Sequence, residues 1–257
     1  MPITLTPFTS DSDWEGCTWS VANVDELAAW IAWVAVGQSY HVANILHAVG
    51  AGPLPTNDDA IKDAVKLLTA GVTSQDHRDG WMFQVMSWLA AHRRTPNALI
   101  AAPHMIHAEK GLDGLELILD SDKSVIATVI FEDKATVNPR DTIRDAVWPE
   151  FVSFEGGTGV NRMSQQATGI LMAAQHPRAM EAVSKIVWKS TRRYRVSITA
   201  PVSTVKSRKS LFKGYATKVP GAIERRRAEV FAIHDLRPWM AALAAKAIDQ
   251  AMKMKTN

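Results

Sequence analysis

The sequence predicts an α/β fold, a central mixed β-sheet flanked by helices, with a helical region ahead of it. Three observations predict this. Apolar residues recur at helical spacing through much of the first hundred positions. Two short runs rich in β-branched and apolar residues, 115–119 and 125–131, then face each other across a polar turn. Beyond them helical and strand patterns alternate to the C-terminus. The expected organisation is a helical N-terminal region over 1–100 and a sheet-bearing core over 101–257.

Taken in order, Leu27, Ile31 and Val34, followed by Val42, Ile45, Leu46 and Val49, form the apolar stripe of one or two helices across 25–48. Asn57-Asp58-Asp59 reads as a helix start, with Ile61, Val65, Leu67 and Leu68 at helical spacing behind it. A further helix over 79–92 buries Met82, Val85, Met86 and Leu89. Asp120-Ser121-Asp122-Lys123 separates the two strand runs and marks a hairpin. The second run is apolar on both faces, so it belongs in the middle of a sheet covered by helices on both sides. Helices are expected at 139–147, 160–174 and 177–188, strands at 194–199 and 228–233, and a closing helix at 238–254.

With 257 residues, 47% hydrophobic and 21% charged, the chain can bury a sizeable core and does not read as disordered. Cys17 is the only cysteine. This excludes an internal disulfide and a cysteine-rich zinc site, and fits a reducing cytoplasm. The first residues lack the basic start and apolar run of a secretory signal. The most apolar segment, 27–36, falls short of the roughly 20 residues that cross a bilayer, so no membrane association is expected. Net charge is +3, but the stretch 185–227 holds many Lys and Arg with Glu224 as its acid. A local basic surface of this kind suits a polyanionic partner.

The chemistry concentrates in Glu109, Asp113 and Phe131-Glu132-Asp133-Lys134. Period two along a strand places Glu132 and Lys134 on one face and Asp133 on the other. These charges end an otherwise apolar strand, where they must be paired, metal-bound or solvated. In a hairpin turning near 120–123, the start of the first strand lies beside the end of the second, so Asp113 and Glu132 should be neighbours. Two carboxylates suit Mg²⁺ (or Mn²⁺), completed by water and substrate phosphate. The backbone carbonyl of Asp133 is a further candidate ligand. Lys134 is placed to orient or deprotonate a water, or to neutralise developing negative charge. Glu109, near a helix end broken by Gly111, is a supporting acid.

This constellation resembles the PD-(D/E)XK, or restriction-endonuclease-like, nuclease superfamily, over residues 104–150. The resemblance implies Asp113 as the first metal-binding Asp, Glu132 as the second acidic ligand, Lys134 as the catalytic lysine and Glu109 as the helix acid. Leu112 stands where the eponymous Pro would be. The Q-x-x-x-Y motif of RecB-type members is missing, since Gln165 and Gln166 are followed four positions on by Gly169 and Ile170. The resemblance implies Mg²⁺-dependent hydrolysis of DNA, by analogy in phage defence or restriction beside a helicase or sensor subunit. The N-terminal helices offer a partner surface or a homodimer contact. The alternative reading is a non-catalytic nucleic-acid-binding or assembly subunit that retains the fold.

Other features carry less. His107-Ala108-Glu109 imitates the H-x-E of zinc deaminases, whose downstream cysteines are absent here. Gly156-Gly157-Thr158-Gly159 fits no nucleotide-binding pattern and reads as a loop capping the helix from 160, with Arg162 near a substrate phosphate. Arg192, Arg193, Lys206, Arg208, Lys209, Arg225, Arg226 and Arg227 are the expected DNA-backbone contacts. The tryptophans on helical stripes read as core.

Overall fold

The computed structural model describes residues 2–10, 13–37, 58–70, 75–105, 112–186, 191–201 and 204–254. Among these residues seven strands form one sheet: β1 (Ile3–Ser10), β2 (Trp14–Val21), β3 (Leu99–Ile100), β4 (Gly114–Leu119), β5 (Val125–Lys134), β6 (Arg192–Ala200) and β7 (Arg226–Ala232). Their spatial order is β1-β2-β7-β6-β5-β4-β3. Strands β2, β7, β6 and β5 run parallel in the middle, and antiparallel partners flank them on both sides. The α/β expectation holds at this level, a mixed sheet with helices on both faces.

One face is covered by α1 (Val24–Ala35), α2 (Asp58–Leu68), α3 (Gln75–Arg94) and the closing α10 (Leu236–Met252). Their apolar stripes meet Trp19 and Phe231 of the sheet, and Leu27, Ile31, Phe83, Met86 and Leu243 are fully buried there. The other face carries α4 (Pro139–Thr142), a π-helical segment (Ile143–Val147), α5 (Trp148–Glu155), α6 (Val160–Ala173), α7 (Ala179–Ile186), α8 (Val205–Leu211) and α9 (Tyr215–Lys218). Ile143, Phe151, Met163 and Phe212 pack there on Tyr194, Val196 and Val230. Among the described residues no helix is long and apolar enough to cross a membrane.

The helical reading of residues 1–100 needs correction. β1 and β2 form an antiparallel hairpin, and β2 pairs in parallel with β7. The N-terminus is therefore built into the same sheet as the rest. The alternation of Ile3 and Leu5 with Thr4 and Thr6 is the period-two signal for this hairpin. Gly16 allows the docking: a Cβ there would lie 1.6 Å from the carbonyl oxygen of Ala228 on β7. Helix α1, the start of α2 at Asp58 and helix α3 lie where the periodicity places them. The second half of the 25–48 stripe lies outside the described residues.

After β5 the helical run also continues past the expected stop at 147. The π-helical segment, an uncommon geometry that recurs at functional sites, joins α4 to α5. Pro149 sits in the first turn of α5, where a missing N–H is tolerated.

Candidate active site

β5 pairs with β4 so that Phe131 lies opposite Gly114. Asp113, one residue ahead of the ladder, therefore stands beside the Glu132-Asp133-Lys134 end of β5. Its Oδ2 accepts the backbone N–H of Asp133 at 2.8 Å and the Lys134 ammonium at 3.0 Å. The same ammonium is 2.8 Å from Glu132 Oε2. Both carboxylates touch one nitrogen, so their nearest oxygens are no more than about 6 Å apart. That is within the roughly 8 Å that lets two carboxylates share a metal with ligand distances of about 2.0–2.6 Å.

The two faces of the sheet supply different surroundings. Asp133 points to the α3 face, where its Oδ1 accepts the Ser87 hydroxyl at 2.7 Å. Behind it, Arg195 donates to Glu229 Oε2 at 2.6 Å and to the Ser87 carbonyl, with its guanidinium 4.5 Å from the Phe131 ring centroid. Glu229 also accepts Arg94 at 3.0 Å and the Trp19 indole N–H at 2.9 Å. This buried ion-pair network braces the strand ends from below. From α3, Gln84 Nε2 donates to Asp113 Oδ1 at 2.8 Å. A cavity of about 160 Å³ opens beside these groups, lined by His77, Trp81, Gln84, His104, Asp113 and Lys134 among others.

The electrostatics follow from burial. Glu132 is 1% exposed. Burial lifts its carboxyl well above the usual carboxylate range, Asp113 reinforces the shift, Lys134 opposes it, and Glu150 of α5 adds to it. Burial also lifts Asp133 to about 7, opposed by Arg195 and reinforced by Asp113. Lys134 shifts the other way. Burial disfavours its charge, but Asp113 and Glu132 together outweigh that and raise its pKa above the ordinary lysine value. It is therefore protonated at neutral pH.

Whether these residues fit a divalent cation can be read from one buried atom. Glu132 Oε2 is buried, and among the described residues its close partner is the Lys134 ammonium at 2.8 Å. A buried carboxylate oxygen held by one cation is the kind of ligand a divalent ion also satisfies. Among the described residues no group of three or more His, Cys, Asp or Glu is gathered as a metal site. Mg²⁺ does not need one, because one or two carboxylates with water and phosphate hold it. Asp113, Glu132 and the Asp133 carbonyl fit that pattern.

No protein-family model matches this chain, and no curated protein matches it.

Of the expected site residues, Asp113, Glu132 and Lys134 come together, and Asp133 joins them through its backbone. Glu109 and His107 lie outside the described residues. The expected DNA contacts need correction. Arg192, Arg226 and Arg227 are buried, at 4%, 3% and 6% exposure. Arg192 donates to the Phe154 carbonyl, Arg226 to the carbonyls of Asp13, Val219 and Gly221, and Arg227 to Glu116. Arg225 is ion-paired with Glu155 at 2.6 Å. Arg208 donates to Thr18 and lies over the Phe8 ring, 4.7 Å from its centroid. These guanidiniums satisfy backbone carbonyls and acids where strands converge, a structural use of the basic stretch.

Position matters as well. Arg192 and Arg193 pair with Thr128 and Val129, whereas Lys134 pairs with Ile198. Six strand residues separate the two levels, roughly 20 Å. Arg193 is half-buried at the far end of the sheet from Lys134. Arg162 in the first turn of α6 and Lys206 in α8 are exposed, and Lys209 is half-buried.

Gln84, Ser87 and Glu150 were not among the expected site residues. A signal existed for the first two. They are polar, three apart, and interrupt an otherwise apolar run from Trp81 to Ala91. Nothing in the sequence marks Glu150, which reaches the site only through the path of α5.

Proposed function

We propose that this protein is a metal-dependent phosphodiester hydrolase acting on DNA, with Asp113, Glu132 and Lys134 as its catalytic residues. The observation that carries this reading is the single ammonium of Lys134 spanning the carboxylates of Asp113 and Glu132 at the end of a buried strand. A cation already sits between these two acids, at 3.0 Å from Asp113 and 2.8 Å from Glu132.

In this reading Asp113, Glu132 and the Asp133 carbonyl would hold Mg²⁺ or Mn²⁺. When bound, the metal would polarise the phosphodiester and make water a better nucleophile. Asp113 is held for that task by Asp133 N–H and Gln84 Nε2. Lys134, kept protonated by its two acidic neighbours, serves as a positive charge beside the phosphate and stabilises the charge that develops there. A role for it as the base that first takes a proton from water fits less well. Arg162 and Lys206 are the exposed cations left for backbone contacts.

The test is cleavage of plasmid DNA and of single-stranded oligonucleotides with Mg²⁺ or Mn²⁺, comparing the natural chain with Glu132→Gln and Lys134→Met. Cutting that needs the metal and falls at least 100-fold in both variants supports the reading. Equal cutting in all three proteins removes the assignment. Absence of metal-dependent cutting in the natural chain, with DNA still bound, favours a non-catalytic nucleic-acid-binding subunit.

A further inference from the structure

Asp113 lies just outside the β4 ladder, so its own strand does not hold its side chain. Three donors from elsewhere do: Gln84 Nε2 on Oδ1, and Asp133 N–H and Lys134 Nζ on Oδ2. Two of these would compete with a cation for Oδ2. Gln84 alone of the three grips the other oxygen, through a charge-assisted hydrogen bond of 2.8 Å. It comes from α3, the helix whose Ser87, three residues on, holds the Asp133 carboxylate at 2.7 Å. Residues three apart lie on one helix face. A single rigid helix thus fixes Asp113 directly and the backbone of Asp133 indirectly.

We propose that Gln84 is a positioning residue for Asp113. It anchors Oδ1 so that Oδ2 faces Lys134 and Glu132, and in doing so sets the affinity of the site for a divalent cation. The inference rests on the reading of Asp113 as a metal ligand. A neutral amide is suited to the role. It donates to the carboxylate without adding a positive charge that would repel the metal. Supporting hydrogen bonds of this type change metal affinity or activity by about 10–100-fold when removed.

The experiment is Mn²⁺ titration of the full chain by calorimetry, without DNA, on the natural protein, Gln84→Met and Gln84→Asn. Methionine keeps the volume and removes the donor. Asparagine keeps the amide but withdraws it by one methylene. The expected result is Mn²⁺ binding weakened by about 10–100-fold in both variants, with cooperative thermal unfolding retained. The Mg²⁺ concentration giving half-maximal cleavage should rise by a similar factor, while kcat at saturating metal falls less. Binding as tight as in the natural chain, in either folded variant, overturns the inference and leaves the metal reading intact. Loss of cooperative unfolding in both variants assigns Gln84 to the fold and also overturns it. No Mn²⁺ binding by the natural protein removes Asp113 as a ligand, and the inference with it.

Discussion

The backbone N–H of Asp133 donates to Asp113 Oδ2 at 2.8 Å, a bond that spans twenty residues of sequence. It ties the residue ahead of β4 to the end of β5 and leaves Lys134 one position on, facing the same oxygen. The hairpin register thus builds the acidic pair, and the consequences can be measured.

Replacing Lys134 with methionine leaves Asp113 and Glu132 facing each other without their shared cation. Stability in chelator should fall by about 1–3 kcal/mol, between the values for exposed and buried pairs. Mg²⁺ should restore much of it by binding the folded state alone. Thermal unfolding with EDTA and with Mg²⁺ checks this. An unchanged melting temperature in both conditions would separate Lys134 from the carboxylates.

Asp133 makes stability depend on pH. Its folded pKa, about 7, lies above the ordinary Asp value of about 3.9. The folded state therefore holds the proton more tightly. The contribution is fully present below about 3.9 and is lost as pH rises through about 7. Asp133→Asn should flatten the stability profile across that window in urea unfolding at a series of pH values. A variant profile parallel to the natural one would contradict the assignment.

Arg195 and Glu229 are each 1% exposed and are paired at 2.6 Å. Arg195→Met should destabilise by about 3–5 kcal/mol, because it leaves a buried carboxylate without its main partner. Adding Glu229→Gln should recover part of that loss, since the stranded charge is then gone. Chemical denaturation of the two single variants and the double variant reads the coupling directly.

Gly16 and Gly114 are close-approach positions in the sheet. A Cβ at Gly16 would meet the Ala228 carbonyl oxygen at 1.6 Å, and one at Gly114 would meet the Phe131 ring at 2.5 Å. Gly16→Ala must push β2 off β7 and should abolish cooperative folding. Gly114→Ala meets a side chain instead, and should cost about 1–3 kcal/mol. It should also weaken metal binding by shifting the adjacent Asp113.

The site was legible in part because a hairpin is local. The turn at 120–123 and the strand runs on either side fix which residues oppose each other, so Asp113 and Glu132 could be paired from the letters alone. Gln84 and Ser87 could not be paired with them, since α3 reaches the site only by packing across the sheet. The basic stretch misled for a related reason. A run of arginines reads the same whether it faces solvent or caps carbonyls inside the fold. β1 and β2 were missed because their alternation is short and the strand that β2 docks on, β7, lies some two hundred residues away.

By itself, then, the sequence determined the alternation of elements, the hairpin and the three residues at its open end, all of which depend on near neighbours and on the periods of strand and helix. Only the tertiary structure decided that the N-terminal hairpin joins the sheet, that α3 supplies Gln84 and Ser87, and that Arg192, Arg226 and Arg227 are interior. Those outcomes depend on which distant surfaces bury one another, and burial decides whether a charge can meet solvent or must find a partner within the fold.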